Sequence, residues 1–184
     1  IFVNDNGGPI YTGVQSNGPL KLGKLFLFEG GIRVPMIIKL PGTFEPNSVY
    51  DQPTSTLDLF PTICSTAGIK IPPKINLDGV DLTPFIKGKV SGLPHDTLFW
   101  SNGPNIAVRH GNWKLIKSYD HTWLFNLASD IGESSNLAKS KPEIVEQLET
   151  LYHEWRSHMN EPAWPSKPNR RKVEVDGLPY EMNI

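Results

Sequence analysis

The sequence holds a single cysteine, Cys64, so no disulfide can form within the chain. It also has almost no net charge, −1 in formal terms, and so lacks the field that would draw it to nucleic acid or an anionic membrane. No apolar run approaches the roughly 18 residues of a membrane-crossing helix. Internal repeats and low-complexity tracts are missing too. The opening Ile1-Phe2-Val3-Asn4-Asp5 has neither the basic stretch nor the long apolar core of a signal peptide. It starts inside an apolar run, as a strand cut midway would, so an upstream segment is expected. Proline (17) and glycine (16), by contrast, are plentiful, which points to a loop-rich α/β protein with its sites on loops over a sheet.

Ile1–Val3 reads as the end of a buried strand, and Asn4–Gly8 as the turn that follows it. In open α/β sheets ligands gather at the carboxy ends of strands, which makes Asp5 and Asn6 candidates. Val34–Leu40 is a second strand, stopped by Pro41-Gly42. A helix is expected over about 58–67, with Thr56 and Asp58 as candidate caps and Gly68 as its stop. Leu59, Phe60, Ile63 and Ala67 form its apolar stripe. Residues 97–100, 106–109, 113–117 and 122–125 are short β-rich runs separated by turn residues, the pattern of an antiparallel meander. His110-Gly111-Asn112 is one of its hairpin turns. Ser140-Lys141-Pro142-Glu143 reads as a capping box opening a last helix. Its stripe of Ile144, Val145, Leu148, Leu151, Tyr152, Trp155 and Met159 should pack on the meander. Past Pro162 the chain is polar and proline-rich, and an extended tail is expected.

Asp5 and Asn6 offer two hard oxygen donors on a tight turn, which suit calcium or magnesium better than zinc. Asp-Asn-Gly-Gly is equally an ordinary turn sequence. Lys24 could neutralise an oxygen of an anionic substrate as charge builds on a leaving group. A solvated surface lysine is the plainer alternative. Asn17 is a further candidate for the same loop cluster. Glu29 and Arg33 read as a structural ion pair or loop anchors. The five histidines show no metal-ligand spacing, and Cys64, on the apolar helix, reads as a core residue.

Several ordered blocks resemble the sulfatase family, in its arylsulfatase and N-acetylgalactosamine sulfatase branch. They are residues 4–8 (NDNGG), 17–24 (NGPLKLGK), 28–35 (FEGGIRVP), 55–62 (STLDLFPT), 77–82 (LDGVDL) and 107–116 (AVRHGNWKLI). The similarity continues through 130–133 (DIGE) and 136–138 (NLA) into the last helix, to about Trp164. The resemblance implies an alkaline-phosphatase-like α/β fold with a small antiparallel sheet packed on a carboxy-terminal helix. On that basis residues 1–90 are the carboxy-terminal part of the α/β domain. Residues 91–164 are the sheet-plus-helix subdomain, and 165–184 the extended tail.

The resemblance further implies hydrolysis of sulfate esters, commonly of carbohydrates. Asp5 and Asn6 match two of the family's four ligands to a divalent cation, usually calcium, with magnesium the alternative. Lys24 matches the lysine that contacts the substrate sulfate. The family nucleophile is a formylglycine made in a Cys/Ser-x-Pro-x-Arg motif. That motif is not encoded here, since Cys64 is followed by Ser65-Thr66-Ala67. The early aspartate pair is absent as well. The chain alone is therefore expected to be inactive, its missing partner an amino-terminal sulfatase segment. Leu22 and Leu25 stand where many relatives carry glycine, so a different loop path around Lys24 is expected. A phosphodiesterase or phosphonate monoester hydrolase on the same scaffold stays open, as does a non-catalytic fragment that pairs with another chain. Family habit implies a secreted, periplasmic or lysosomal protein. No nucleic-acid partner and no membrane span are expected.

Overall fold

The computed structural model describes residues 1–161 and 170–183. Contacts divide the chain into two units, one of Ile38–Leu98 with Ile1, the other of Phe2–Ile37 with the chain from Phe99 onward. This differs from the sequential boundary expected at residue 90. Residues 2–37 cluster with the meander because Phe26, Leu27 and Phe28 are buried in its core.

The larger unit is built on a four-stranded antiparallel sheet in the order β3 (Thr97–Asn102), β4 (Asn105–His110), β5 (Trp113–Ser118) and β6 (His121–Asn126). Alternation along these strands creates two apolar faces. Val108, Leu115 and Leu124 lie in cross-strand register on one face. Helix α4 (Pro142–Ser157) covers this face with Ile144, Val145, Leu148, Leu151, Tyr152 and Trp155. Ala107, Ile116 and Trp123 align on the other face, where Phe26, Leu27, Phe28 and Tyr180 complete the core. The expected capping box on α4 does not form. The Ser140 hydroxyl donates to Leu137 O, while Lys141 occupies the cap position ahead of Pro142.

The expected extended tail is also corrected. Residues 165–169 and 184 lie outside the described residues, but β7 (Arg170–Val175) and β8 (Leu178–Asn183) form an antiparallel hairpin. Its two-residue turn, Asp176-Gly177, has positive φ at both positions (54° and 74°), as the right-handed strand twist favours. Val175, Tyr180 and Met182 carry the hairpin into the core.

β1 (Phe2–Val3) pairs antiparallel with β2 (Met36–Ile37), a much shorter strand than the expected 34–40. Phe2 and Ile37, which oppose each other, are both exposed, so the expected burial of β1 is not seen here. Between them lie the site loops and the single-turn helix α1 (Glu29–Ile32).

In the smaller unit, a 3₁₀ turn (Thr56–Asp58) leads into α2 (Leu59–Thr66), and α3 (Thr83–Ile86) follows. Ser55 caps the 3₁₀ turn in a reciprocal capping box with Asp58, and Asp58, one of the two expected candidates, holds the N-cap position of α2 without a side-chain cap bond, whereas Thr56 caps neither. Asp58 is fully buried and accepts from the Ser55 and Val80 amides, with His95 Nε2 at 2.7 Å. The face of α2 that packs inward carries Pro61, Thr62 and Cys64, whereas Phe60 and Ile63 of the expected stripe face outward. The Thr62 hydroxyl accepts the Leu82 amide, which explains how a polar residue takes the inner face.

Candidate functional site

Asp5 and Asn6 sit on the turn that leaves β1, and Lys24 sits on the loop before α1. Backbone and side-chain bonds stitch the two loops together. Asn17 does most of this: Gly8 N–H donates to its Oδ1 (3.0 Å), and its Nδ2 donates to Gly8 O (2.9 Å) and Leu22 O (2.8 Å). The Lys24 amide donates to Gly8 O at 3.2 Å. An asparagine suits this role because its amide offers donor and acceptor from one rigid plane. The candidate ligands and the candidate sulfate-contacting lysine are thus on adjoining loops sharing one hydrogen-bond set.

Close packing of backbone on backbone holds the cluster. Gly7 N–H donates to Gly31 O at 2.9 Å. A Cβ at Gly7 would lie 1.7 Å from Gly30 O, a distance no side chain can accept. The Glu-Gly-Gly block is packed as tightly on its other side, since a Cβ at Gly30 would lie 2.3 Å from Leu22 O and one at Gly31 2.0 Å from Phe26 O, so the loop that carries Lys24 and the Asp-Asn-Gly-Gly turn both close on this pair of glycines.

Leu22 and Leu25 carry positive φ (60° and 81°). The different loop path expected from these leucines is not required: the backbone takes conformations that favour glycine, with leucines in them. Both side chains pack against the core, and that burial offsets the backbone strain.

The donor set bears on a cation. Asn6 N–H donates to Asp5 Oδ1 (2.8 Å), and Asn6 Nδ2 donates to Gly7 O (3.0 Å). These bonds turn the amide nitrogen inward and leave Asn6 Oδ1 as its available oxygen. Asp5 is exposed, and its Oδ2 is the second. Two hard oxygens fit the chemistry of calcium or magnesium but fall short of the six to eight that calcium takes. Among the described residues, no group of three or more His, Cys, Asp or Glu side chains could hold a metal.

Behind the loops lies a buried ionic cluster that sequence reasoning reached only in part. Lys114, fully buried on β5, donates to Glu29 Oε1 (2.8 Å) and pairs with Glu133 Oε1 (2.9 Å). Glu133 Oε2 accepts the Glu29 amide at 2.7 Å. Glu29 Oε2 faces Arg33 at 3.7 Å and Arg109 at 4.0 Å. The expectation that Glu29 and Arg33 anchor structure holds, yet the main partners of Glu29 are Lys114 and Glu133. Burial pushes the Glu133 carboxyl above its ordinary pKa, and the Lys114 ammonium pulls it back. The cluster ties α1 to the sheet. Period-2 alternation in 113–118 could have flagged Lys114, since it falls on the same face as Ile116.

A family description, "N-sulphoglucosamine sulphohydrolase, C-terminal", matches residues 21–158. The chain belongs to the sulfatase family. It is similar to a "Sulfatase" of Formosa agariphila, 34% identical across 94% of this chain and 35% of that protein. Among solved structures it resembles Ps i-CgsB in complex with k-i-k-neocarrahexaose, with a TM-score of 0.76 and 32% identity over 89% of this chain and 37% of that one. It also resembles a phosphonate monoester hydrolase from Silicibacter pomeroyi, with a TM-score of 0.55 and 25% identity over 73% of this chain and 30% of that one. The chain thus spans about a third of the length of the relatives it matches. Its fold is the carboxy-terminal part of the alkaline-phosphatase-like sulfatase fold, with the small antiparallel sheet packed on a helix. No helix among the described residues is long and apolar enough to cross a membrane.

Proposed function

We propose that this chain supplies part of the catalytic centre of a sulfuric ester hydrolase acting on sulfated carbohydrates. The observation that carries the reading is the stitching of the Asp5-Asn6 turn to the Lys24 loop through Asn17 and the Lys24 amide. Two hard-oxygen donors and a cationic side chain on adjoining loops suit a doubly anchored anion. Asp5 and Asn6 would hold a divalent cation, calcium or magnesium, which when bound supplies Lewis-acid polarisation of a sulfate oxygen. Lys24 would neutralise sulfate charge that grows as the ester bond breaks. Asn17 keeps the two loops in register. The formylglycine nucleophile has no source here: Cys64 is buried on α2 and lacks the motif's proline and arginine. The remaining ligands and the nucleophile would come from a segment outside residues 1–184, and the chain alone would be inactive. The carbohydrate preference is supported by the oligosaccharide bound to the similar Ps i-CgsB. A secreted, periplasmic or lysosomal setting accompanies this reading.

Joining this chain to the nucleophile-bearing remainder of the Formosa agariphila sulfatase tests the reading. Release of inorganic sulfate from a sulfated oligosaccharide is expected, with kcat/KM falling about 10²–10³-fold in Lys24→Ala. Calcium titration of the isolated chain should give no tight binding, with Asp5→Ala as control. Tight binding abolished by Asp5→Ala would mean the metal site is complete within these residues. Faster cleavage of a phosphonate monoester than of any sulfate ester would favour the second reading, which the Silicibacter pomeroyi similarity supports.

A further inference from the structure

The β7–β8 hairpin lies beyond the family match, which ends at residue 158. It grips the loop that carries Lys24 from both sides. On the amino-terminal side, Lys21 Nζ meets Asp176 Oδ2 of the hairpin turn at 2.5 Å and also donates to Glu133 O. Its ammonium lies over the rings of Phe28 and Phe125 (5.4 and 5.6 Å). On the carboxy-terminal side, the Leu27 amide donates to the hydroxyl of Tyr180 on β8 at 3.2 Å. The Tyr180 ring packs on Phe26, Phe28 and Trp123 at 5.2, 5.9 and 6.1 Å. The hairpin is itself fixed to the sheet, because Asn105 Nδ2 donates to Glu181 O and the Glu181 amide donates to the Ser118 hydroxyl.

We infer that the hairpin is a positioning clamp for Lys24, with Asp176 and Tyr180 as its two contacts on the lysine loop. The loop needs such a clamp because its own backbone is unfavourable, with leucines at positive φ immediately before and after Gly23-Lys24. A short loop held in sparsely populated conformations relaxes unless its ends are fixed, and here both ends are fixed by one element. This inference rests on the reading of Lys24 as a sulfate contact only for its consequence; the clamp itself is a statement about loop order.

The test is amide exchange and lysine Nζ resonances on the full chain, wild type against Tyr180→Phe and Asp176→Asn. Tyr180→Phe keeps the ring and removes the acceptor. Exchange at the Leu27 amide should quicken roughly fivefold to tenfold, the loss of one hydrogen bond. The decisive expectation is that the Lys24 and Phe26 amides quicken with it, while Val108 and Leu124 on the opposite sheet face keep wild-type rates. Asp176→Asn, which alters only the surface end, should quicken Lys24 in the same sense and keeps the test decisive if Tyr180→Phe folds poorly. If either folded variant leaves the Lys24 and Phe26 amides at wild-type rates, the clamp is refuted. Titration with inorganic sulfate separates the two readings. A Lys24 Nζ shift in wild type that weakens several-fold in the variants supports clamp and contact together. No Lys24 response in wild type leaves the sulfate contact to the joined enzyme, where an unchanged kcat/KM in Lys24→Ala overturns it, and the exchange data still decide the clamp.

Discussion

Replacing Lys114 by methionine probes the buried ionic cluster behind the site. Methionine replaces all but the terminal atom of the side chain, so little cavity forms, but two carboxylates lose their shared cation. Glu29 and Glu133 are both buried, at 2% and 0% exposure, so water cannot replace the ammonium. Breaking a buried pair by removing one partner costs about 3–5 kcal/mol. For a chain of this size that lowers Tm by about 10 °C. Arg109 and Arg33 stand 4.0 and 3.7 Å from Glu29 and soften its loss; Glu133 has no comparable second cation among the contacts described. The effect should depend on pH. The Glu133 carboxyl is raised above its unfolded value of 4.5 by burial, with Lys114 opposing. Between the unfolded and folded values the native state binds the extra proton, so this group's contribution is full below about 4.5 and is lost as pH rises through the folded value. Removing Lys114 removes what opposes the rise, and more stability is lost by neutral pH. The penalty of Lys114→Met should therefore be largest at neutral pH and shrink toward about 4.5. Urea denaturation followed by tryptophan fluorescence at several pH values measures it. A penalty below about 1 kcal/mol at neutral pH, the range of an exposed pair, would refute the reasoning. So would a penalty that stays constant on acidification. Adding Glu133→Gln to Lys114→Met should recover part of the loss, because it removes a carboxylate left without its cation.

Two further outcomes follow from the loop and the hairpin. Leu25→Gly should be more stable than Leu25→Ala by about 1 kcal/mol, reversing the usual order, because only glycine relieves the positive φ while both variants lose the same packing. Thermal denaturation of the pair checks this, and equal Tm values would mean the loop is not strained. Tyr180 should give an alkaline limb: its hydroxyl rises from 10.0 to about 12 on folding, so stability is full below 10.0 and falls by about 3 kcal/mol toward 12. Tyr180→Phe should lack that limb, as read by denaturation across the alkaline range.

Features governed by local rules were legible in the sequence. Period-2 runs placed the strands of the four-stranded sheet to within a residue or two, and the 3.6-residue stripe placed the face of α4 that packs on it. Asp5, Asn6 and Lys24 were reachable only through ordered motifs, since each by itself is an ordinary surface residue. The Asp176-Gly177 turn signal was present as well, but the proline-rich stretch before it suggested a tail, and a hairpin so short becomes stable only when a core receives it.

Other features needed the tertiary structure. The capping box at Ser140 was a sound local pattern that another bond displaced. The outward turn of Phe60 and Ile63 depends on Asp58 and Thr62 finding partners in Val80, Leu82 and His95, more than 15 residues away along the chain. Nothing local marks Glu29, Lys114 and Glu133 as one cluster, or Tyr180 as the partner of Leu27, because those contacts join residues about 20 to 150 apart in sequence. Hydrophobic period is set by neighbouring side chains and survives in one dimension. A buried charge is tolerable only once its counter-charge is delivered by a different strand, and that delivery is made by the fold.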